Sequence, residues 1–259
     1  MKLQAALVSL VLIGLTSLAF GNDNDTGPRT GFFETDITLR ELIGAENAAS
    51  FSDVIAPDEK LKWKIYVPKT YTPSRPVGLI AYVTHSNSWG GSTRLYNDVL
   101  DEKNIIWAGV IGAGSKKPLN ARLMRLLLTP TFIARNYVLD PERLYVGGNS
   151  SGAHVAAMLA TSKPQIFKGG LFVGRALFWE DEAPAVIDLV RRNRYVFSSG
   201  SSNPDLKEVQ RSAAAYRNAG VEHTEFFLMP NVARKAPTPM YIEKAIEYLD
   251  GTSGSIGDE

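Results

Sequence analysis

The chain has no cysteine in 259 residues. No disulfide and no lipid-modified cysteine can therefore hold or tether it, and the fold must rest on its core. Histidine is almost as scarce, with three in all, His85, His154 and His223. Any chemistry that needs an imidazole has only these to draw on. Net charge is nearly absent too: 28 basic against 27 acidic residues leave a formal +1. That balance offers no field for nucleic acid or an anionic membrane surface, and neither is expected as a partner. No phosphate-cradling glycine loop and no metal-ligand cluster stands out, so no cofactor and no metal are expected. Long apolar runs are missing except at the start, where Ala5 to Phe20 follows Lys2 and ends in Ala19-Phe20-Gly21 before polar Asn22-Asp23-Asn24-Asp25. This reads as a cleavable signal peptide of about residues 1–21, too short and too lightly flanked for a confident transmembrane span, with an uncleaved anchor as the rival reading. The expected address is secreted or periplasmic, with no stable membrane anchor after cleavage.

What is present is a regular alternation of apolar strands and amphipathic helices. After a polar N-terminal arm, 22–57, the run Leu61 to Val67 alternates at period two and stops at Pro68, a strand with one polar face. Val77 to Val83 and Ile105 to Ile111 are nearly all apolar, as expected of parallel strands covered on both faces. Residues 92–103 read as a helix, and 118–138 as a helical run that Pro130 should split. Strands follow at 170–173, 195–198 and 221–229, with helices at about 183–192, from Leu206 to Tyr216, and at 239–249. Such alternation predicts one α/β domain over 58–250 with a mostly parallel central sheet flanked by helices on both faces. Residues 251–259 read as a disordered tail. Ligands on such sheets bind beyond the carboxyl ends of the strands. The loops at 84–91, 199–205 and 230–238 all fall at that edge.

The most specific stretch is Gly148-Asn149-Ser150-Ser151-Gly152, entered by the β-prone Leu144-Tyr145-Val146 and left by Ala153-His154-Val155-Ala156-Ala157. Strand, glycine-flanked serine and helix together form the context in which G-x-S-x-G is a nucleophile elbow. The glycines allow a close approach of two segments and a strained turn that exposes the Ser150 hydroxyl.

At this point the sequence resembles the α/β-hydrolase superfamily, and more narrowly secreted bacterial esterases of the polyhydroxybutyrate depolymerase and feruloyl esterase type. The likeness rests on the elbow, on Tyr66-Val67-Pro68, on Asp140-Pro141-Glu142-Arg143-Leu144-Tyr145-Val146, on Ala157-Met158-Leu159-Ala160 and on Phe167-Lys168-Gly169-Gly170. It implies Ser150 as nucleophile, an acid in the loop after the strand ending near Ser198, and a histidine in the loop after Met229. Backbone N–H groups of Ser86 and Ser151 would serve as oxyanion-type donors, and Trp89 and Trp179 would line the substrate site.

Two positions depart from that pattern. Where the family tends to read Gly-x-x-Asp this chain has Gly200-Ser201-Ser202-Asn203, and where it tends to read Pro-Gly-x-Gly-His-x-x-Pro this chain has Pro230-Asn231-Val232-Ala233-Arg234-Lys235-Ala236-Pro237. Asn203 carries no charge to steady an imidazolium; the same acid-to-amide change in a serine protease triad lowers turnover about 10⁴-fold. Arg234, with a pKa above about 12, takes no proton from serine near neutral pH. Replacements for the missing groups are Asp205 as acid, and Lys235 or His85 as base. Among the histidines, His223 starts the last strand and lies roughly 20 Å from the catalytic edge at about 3.3 Å per residue. His154 sits on the elbow helix, and His85 stands on the edge loop beside the elbow strand. Two readings stay open: an esterase-like protein with a degenerate triad that binds a carboxyl-bearing or other small anionic ligand, and an active serine carboxylesterase with a relocated base such as His85.

Overall fold

A computed structural model describes residues 28–91, 94–175, 186–233 and 236–252. The expected signal segment and the residues from 253 onward lie outside that description. The elements, in chain order, are β1 (Gly31–Thr38), α1 (Leu39–Ile43), α2 (Ala45–Ser50), β2 (Lys60–Val67), β3 (Val77–Val83), a 3-10 turn (Arg94–Tyr96), α3 (Asn97–Lys103), β4 (Ile105–Ile111), α4 (Leu119–Leu127), α5 (Thr129–Ile133), β5 (Leu139–Asn149), α6 (Ser151–Ser162), β6 (Gly169–Val173), α7 (Ile187–Arg192), β7 (Arg194–Gly200), α8 (Leu206–Asn218), β8 (His223–Met229) and α9 (Pro239–Asp250).

One eight-stranded sheet runs β1-β2-β4-β3-β5-β6-β7-β8. The first two pairings are antiparallel and the other five parallel. The mostly parallel sheet expected from the alternation is therefore the sheet observed. Every residue of β3 is buried, because side chains from its two faces enter two separate cores. Leu79, Ala81 and Val83 face α4, α5 and α6, while Ile80 and Tyr82 share the core formed with the 3-10 turn, α3 and α9. The split at Pro130 occurs as its chemistry requires: α4 ends at Leu127 and α5 restarts with Pro130 in its first turn, where a missing N–H costs nothing.

Two stretches differ from the sequence reading. The part of the N-terminal arm from Gly31 to Thr38 adds a full strand to the sheet edge, paired residue for residue with Lys60 to Val67. Only Phe33 is fully buried in it, so its strand character comes from the partner and not from its own alternation. The helix expected at about 92–103 is a 3-10 turn followed by seven helical residues.

The close packing of α6 on the sheet locates the site. A methyl group on Gly152 would stand 2.2 Å from the Val83 carbonyl oxygen, and one on Gly148 2.5 Å from the Gly152 backbone. The helix can lie against the ends of β3 and β5 only because both side chains are absent. Alanine normally favours a helix over glycine by up to about 1 kcal/mol. Here Gly152→Ala should instead destabilise the protein by about 1–3 kcal/mol through overpacking against immovable backbone. Thermal unfolding tests this, and an unchanged or raised Tm would show that the contact yields.

Candidate functional site

Ser150 joins β5 to α6 with φ 52° and ψ −127°, a backbone conformation that a side chain adopts only under constraint. Its N–H donates to the Val173 carbonyl at 2.9 Å, continuing the β5–β6 ladder one residue into the turn. The Ser151 amide opens the helix and has no intrahelical acceptor. The elbow is thus built as the motif predicts, with Ser150 half-buried at the carboxyl edge of the sheet. Among the described residues no side chain forms a hydrogen bond with the Ser150 hydroxyl.

Next to the elbow, the 84–91 loop is closed on itself. The Ser86 N–H, expected as an oxyanion-type donor, is instead bonded to Thr84 Oγ1 at 3.1 Å, while the Thr84 hydroxyl donates to the Trp89 carbonyl at 2.8 Å. A local turn of this kind competes for the amide that an oxyanion would need. The loop is zipped to the one after β4. The Gly112 and Gly114 amides donate to the Asn87 carbonyl and Oδ1 at 2.8 and 2.9 Å, and the Ser115 amide to the His85 carbonyl at 3.0 Å. The His85 backbone is therefore fixed. Its side chain is exposed and takes no hydrogen-bond partner among the described residues, Ser150 included. Trp89 is half-buried in the same loop.

At the acid position Asn203 is buried, with both amide donors and its oxygen bonded. Nδ2 donates to Ser199 Oγ at 3.0 Å and to the Gly174 carbonyl at 3.3 Å, and Oδ1 accepts the Asp205 N–H at 3.1 Å. The side chain closes the turn after β7 and ties it to the end of β6. Asp205, the alternative acid, has its carboxylate 3.9 Å from Arg175 Nε. The chain after β8 packs on this turn: Asn231, at φ 57°, donates to Ser201 Oγ, and the Ser202 amide donates to the Val232 carbonyl at 2.9 Å. The loops meant to carry acid and base are thus side by side, as the chain order implies. Arg234, Lys235 and Trp179 lie outside the described residues. His223, the first residue of β8, sits at the opposite end of the sheet from the elbow.

The sequence reading missed a group of charges around the first turns of α6. Arg122 of α4 is buried, at 6 % exposure. Its Nε donates to the Ala113 carbonyl at 2.7 Å, and its Nη2 reaches the Thr84 carbonyl at 3.3 Å and Ser151 Oγ at 3.4 Å. It has no carboxylate partner among the described residues, whereas Arg125, one turn on, is paired with Glu59. Arg175 pairs with Glu208 at 3.4 Å, and His154 Nε2 lies 3.5 Å from the same carboxylate. Burial pushes the His154 pKa below its ordinary value, and Arg175 and Arg122 add to that against the pull of Glu208. The local pattern carried no cue for Arg122: at about 100° per residue it lies off the stripe formed by Ala121, Met124 and Leu127, and only the folded chain shows it buried. Among the described residues no cluster could hold a metal ion and no helix is long and apolar enough to cross a membrane.

Comparison with known proteins gives a likeness of fold. No family model and no curated protein matches the sequence. Among solved structures, a thermostable esterase superposes with a TM-score of 0.58 at 13 % identity, over 85 % of this chain and 62 % of the esterase. The chain thus spans less than two thirds of that protein. A ferulic acid esterase gives 0.60 at 14 %, over 85 % of this chain and 99 % of its own. The substrate-bound fluorophosphonate-binding serine hydrolase F of Staphylococcus aureus gives 0.61 at 10 %, over 85 % and 98 %. The fold shared with these is the α/β-hydrolase fold.

Two measurements follow from this geometry. Asn203→Asp sets a carboxylate oxygen against the Gly174 carbonyl where an N–H now donates. It should cost about 1–3 kcal/mol and lower Tm by roughly 3–10 °C, and a Tm equal to the wild type would refute the amide's tying role. His154 supplies the second. Its folded-state pKa lies below the ordinary 6.5, so above that pH both states hold a neutral imidazole and it adds no pH dependence. Below it the unfolded chain takes the proton first, and stability falls as pH falls. The Tm of His154→Asn should therefore gain on that of the wild type as pH drops from about 7 to about 5. His223, also lowered by burial, is common to both proteins. A constant difference across the range would contradict the assignment.

Proposed function

We propose that the protein is a secreted, esterase-like member of the α/β-hydrolase fold whose serine lacks a working proton relay. It is a weak or inactive esterase that holds a carboxyl-bearing or other small anionic ligand at the elbow. The observation that carries this reading is Asn203: its amide is bonded to Ser199, Gly174 and Asp205. It has no negative charge with which to steady the imidazolium of a base. The Ser150 hydroxyl has no base bonded to it among the described residues, and the sequence supplies Arg234 where the family pattern has histidine. Proton removal is the step that turns a serine hydroxyl into a nucleophile, and no group here is assigned to do it.

Support for an anion comes from the same edge. The first-turn amides of α6 carry the positive end of the helix dipole. Arg122 adds a buried charge that no described carboxylate neutralises. A guanidinium at position 234 would add another and suits a carboxylate or phosphate better than it suits ester cleavage.

Labelling with a serine-directed fluorophosphonate tests the relay, and calorimetry with butyrate, 3-hydroxybutyrate and a phosphate monoester tests the ligand. The expected result is no labelling within hours and a Kd of about 1 mM or tighter, equivalent to about 4 kcal/mol, for at least one anion. Rapid, pH-dependent labelling lost in Ser150→Ala would favour an active carboxylesterase with a relocated base such as His85. Flat titrations with all three compounds would remove the anion reading.

A further inference from the structure

Two arginines one turn apart on α4 are buried, and their circumstances differ. Arg125 ends on a carboxylate, Glu59. Arg122 ends on three neutral acceptors that belong to three different segments: the Thr84 carbonyl after β3, the Ala113 carbonyl after β4 and the Ser151 hydroxyl in the first turn of α6. Burying a guanidinium away from any counter-charge is costly. Only a planar fork of donors can reach acceptors spread so widely, and an ammonium group cannot span them.

We infer that Arg122 is the positioning residue of the elbow site, acting through Ser151 and the two carbonyls rather than on a ligand directly. The loops at 84–91 and 112–115 are already zipped to each other through Asn87 and His85. Neither Asn87 nor the His85 carbonyl bonds to α6. Arg122 supplies that polar link and, together with the Gly152 packing on Val83 and Thr84, holds the loop pair against the Ser151 amide and the Ser150 hydroxyl. The charge stays buried beside the first turn of α6, where it adds to the field of the helix terminus. The ligand consequence rests on the anion reading above; the positioning does not.

Amide hydrogen exchange of the full protein, read residue by residue in wild type, Arg122→Met, Arg122→Lys and Ser151→Ala, separates the two. In Arg122→Met the amides of residues 84–90, 112–115 and 150–153 should exchange about tenfold faster or more, while those of β7 and β8 stay within about twofold. Arg122→Lys should recover part of the protection, and Ser151→Ala should loosen 150–153 alone. Butyrate should bind about tenfold more weakly to Arg122→Met than to wild type, with Arg122→Lys between them. A rise in exchange spread evenly over the sheet would reduce Arg122 to general stability and overturn the inference, as would unchanged exchange in the three segments. If Arg122→Met does not fold, Arg122→Lys and Ser151→Ala decide by the same local pattern. If wild type binds no butyrate, the anion reading falls and the exchange pattern still judges the positioning.

Discussion

Between Gly152 and the Val83 carbonyl there is no room for a methyl group, and the arrangement of the site edge depends on that contact. With α6 pressed against the ends of β3 and β5, the chain has one residue in which to turn from strand to helix. Ser150 takes the strain of that turn at φ 52°, a conformation worth of order 1–3 kcal/mol for a non-glycine residue. The packing offsets it. Ala153, Ala156, Ala157 and Ala160 bury a small-residue face of the helix, and each can sit close to the sheet because none is larger. The Ser150 N–H finds the Val173 carbonyl and so is itself paired.

The field at that edge has a consequence for any base placed there. A serine triad works because a carboxylate steadies the imidazolium formed when the serine proton is taken. Here the imidazole on the elbow helix, His154, has its pKa pushed below the ordinary value by burial together with Arg175 and Arg122, against the pull of Glu208. An imidazole brought to Ser150 from the 84–91 loop would need the same support from a carboxylate. The acid position would answer with an amide whose donors are already bound. At position 203 the chain offers no carboxylate for that role.

Much of the fold was legible from local pattern. The runs Val77 to Val83 and Ile105 to Ile111 are apolar without interruption and form strands with those same bounds, because strands buried on both faces need no alternation. The elbow was legible because glycine spacing, a preceding strand and a following helix are all local. What escaped was decided at long range. Gly31 to Thr38 is a strand because Lys60 to Val67 lies beside it, and nothing in its eight residues announces that partner. Asn203 could be placed at the acid position by counting, yet its three bonds reach to Ser199, Gly174 and Asp205 across the ends of two strands. Arg122 is the sharpest case. On a helix, an arginine usually snorkels to water, and only the meeting of three loops over α4 shows why this one stays inside.

A glycine-flanked serine between strand and helix is commonly read as a sign of catalysis. In this protein each part of the motif also has a packing duty. Gly148 and Gly152 permit the helix to approach, Asn149 and the Ser150 amide complete the pairing with β6, and the Ser151 hydroxyl receives Arg122. None of these duties involves moving a proton. The motif would be required for the α6 contact whether or not the serine ever attacked a carbonyl, so its presence alone cannot separate an enzyme from a binding protein. That distinction lies in the loops after β7 and β8. There the chemistry is free to change while the fold stays the same, and there this chain carries Asn203 and Arg234.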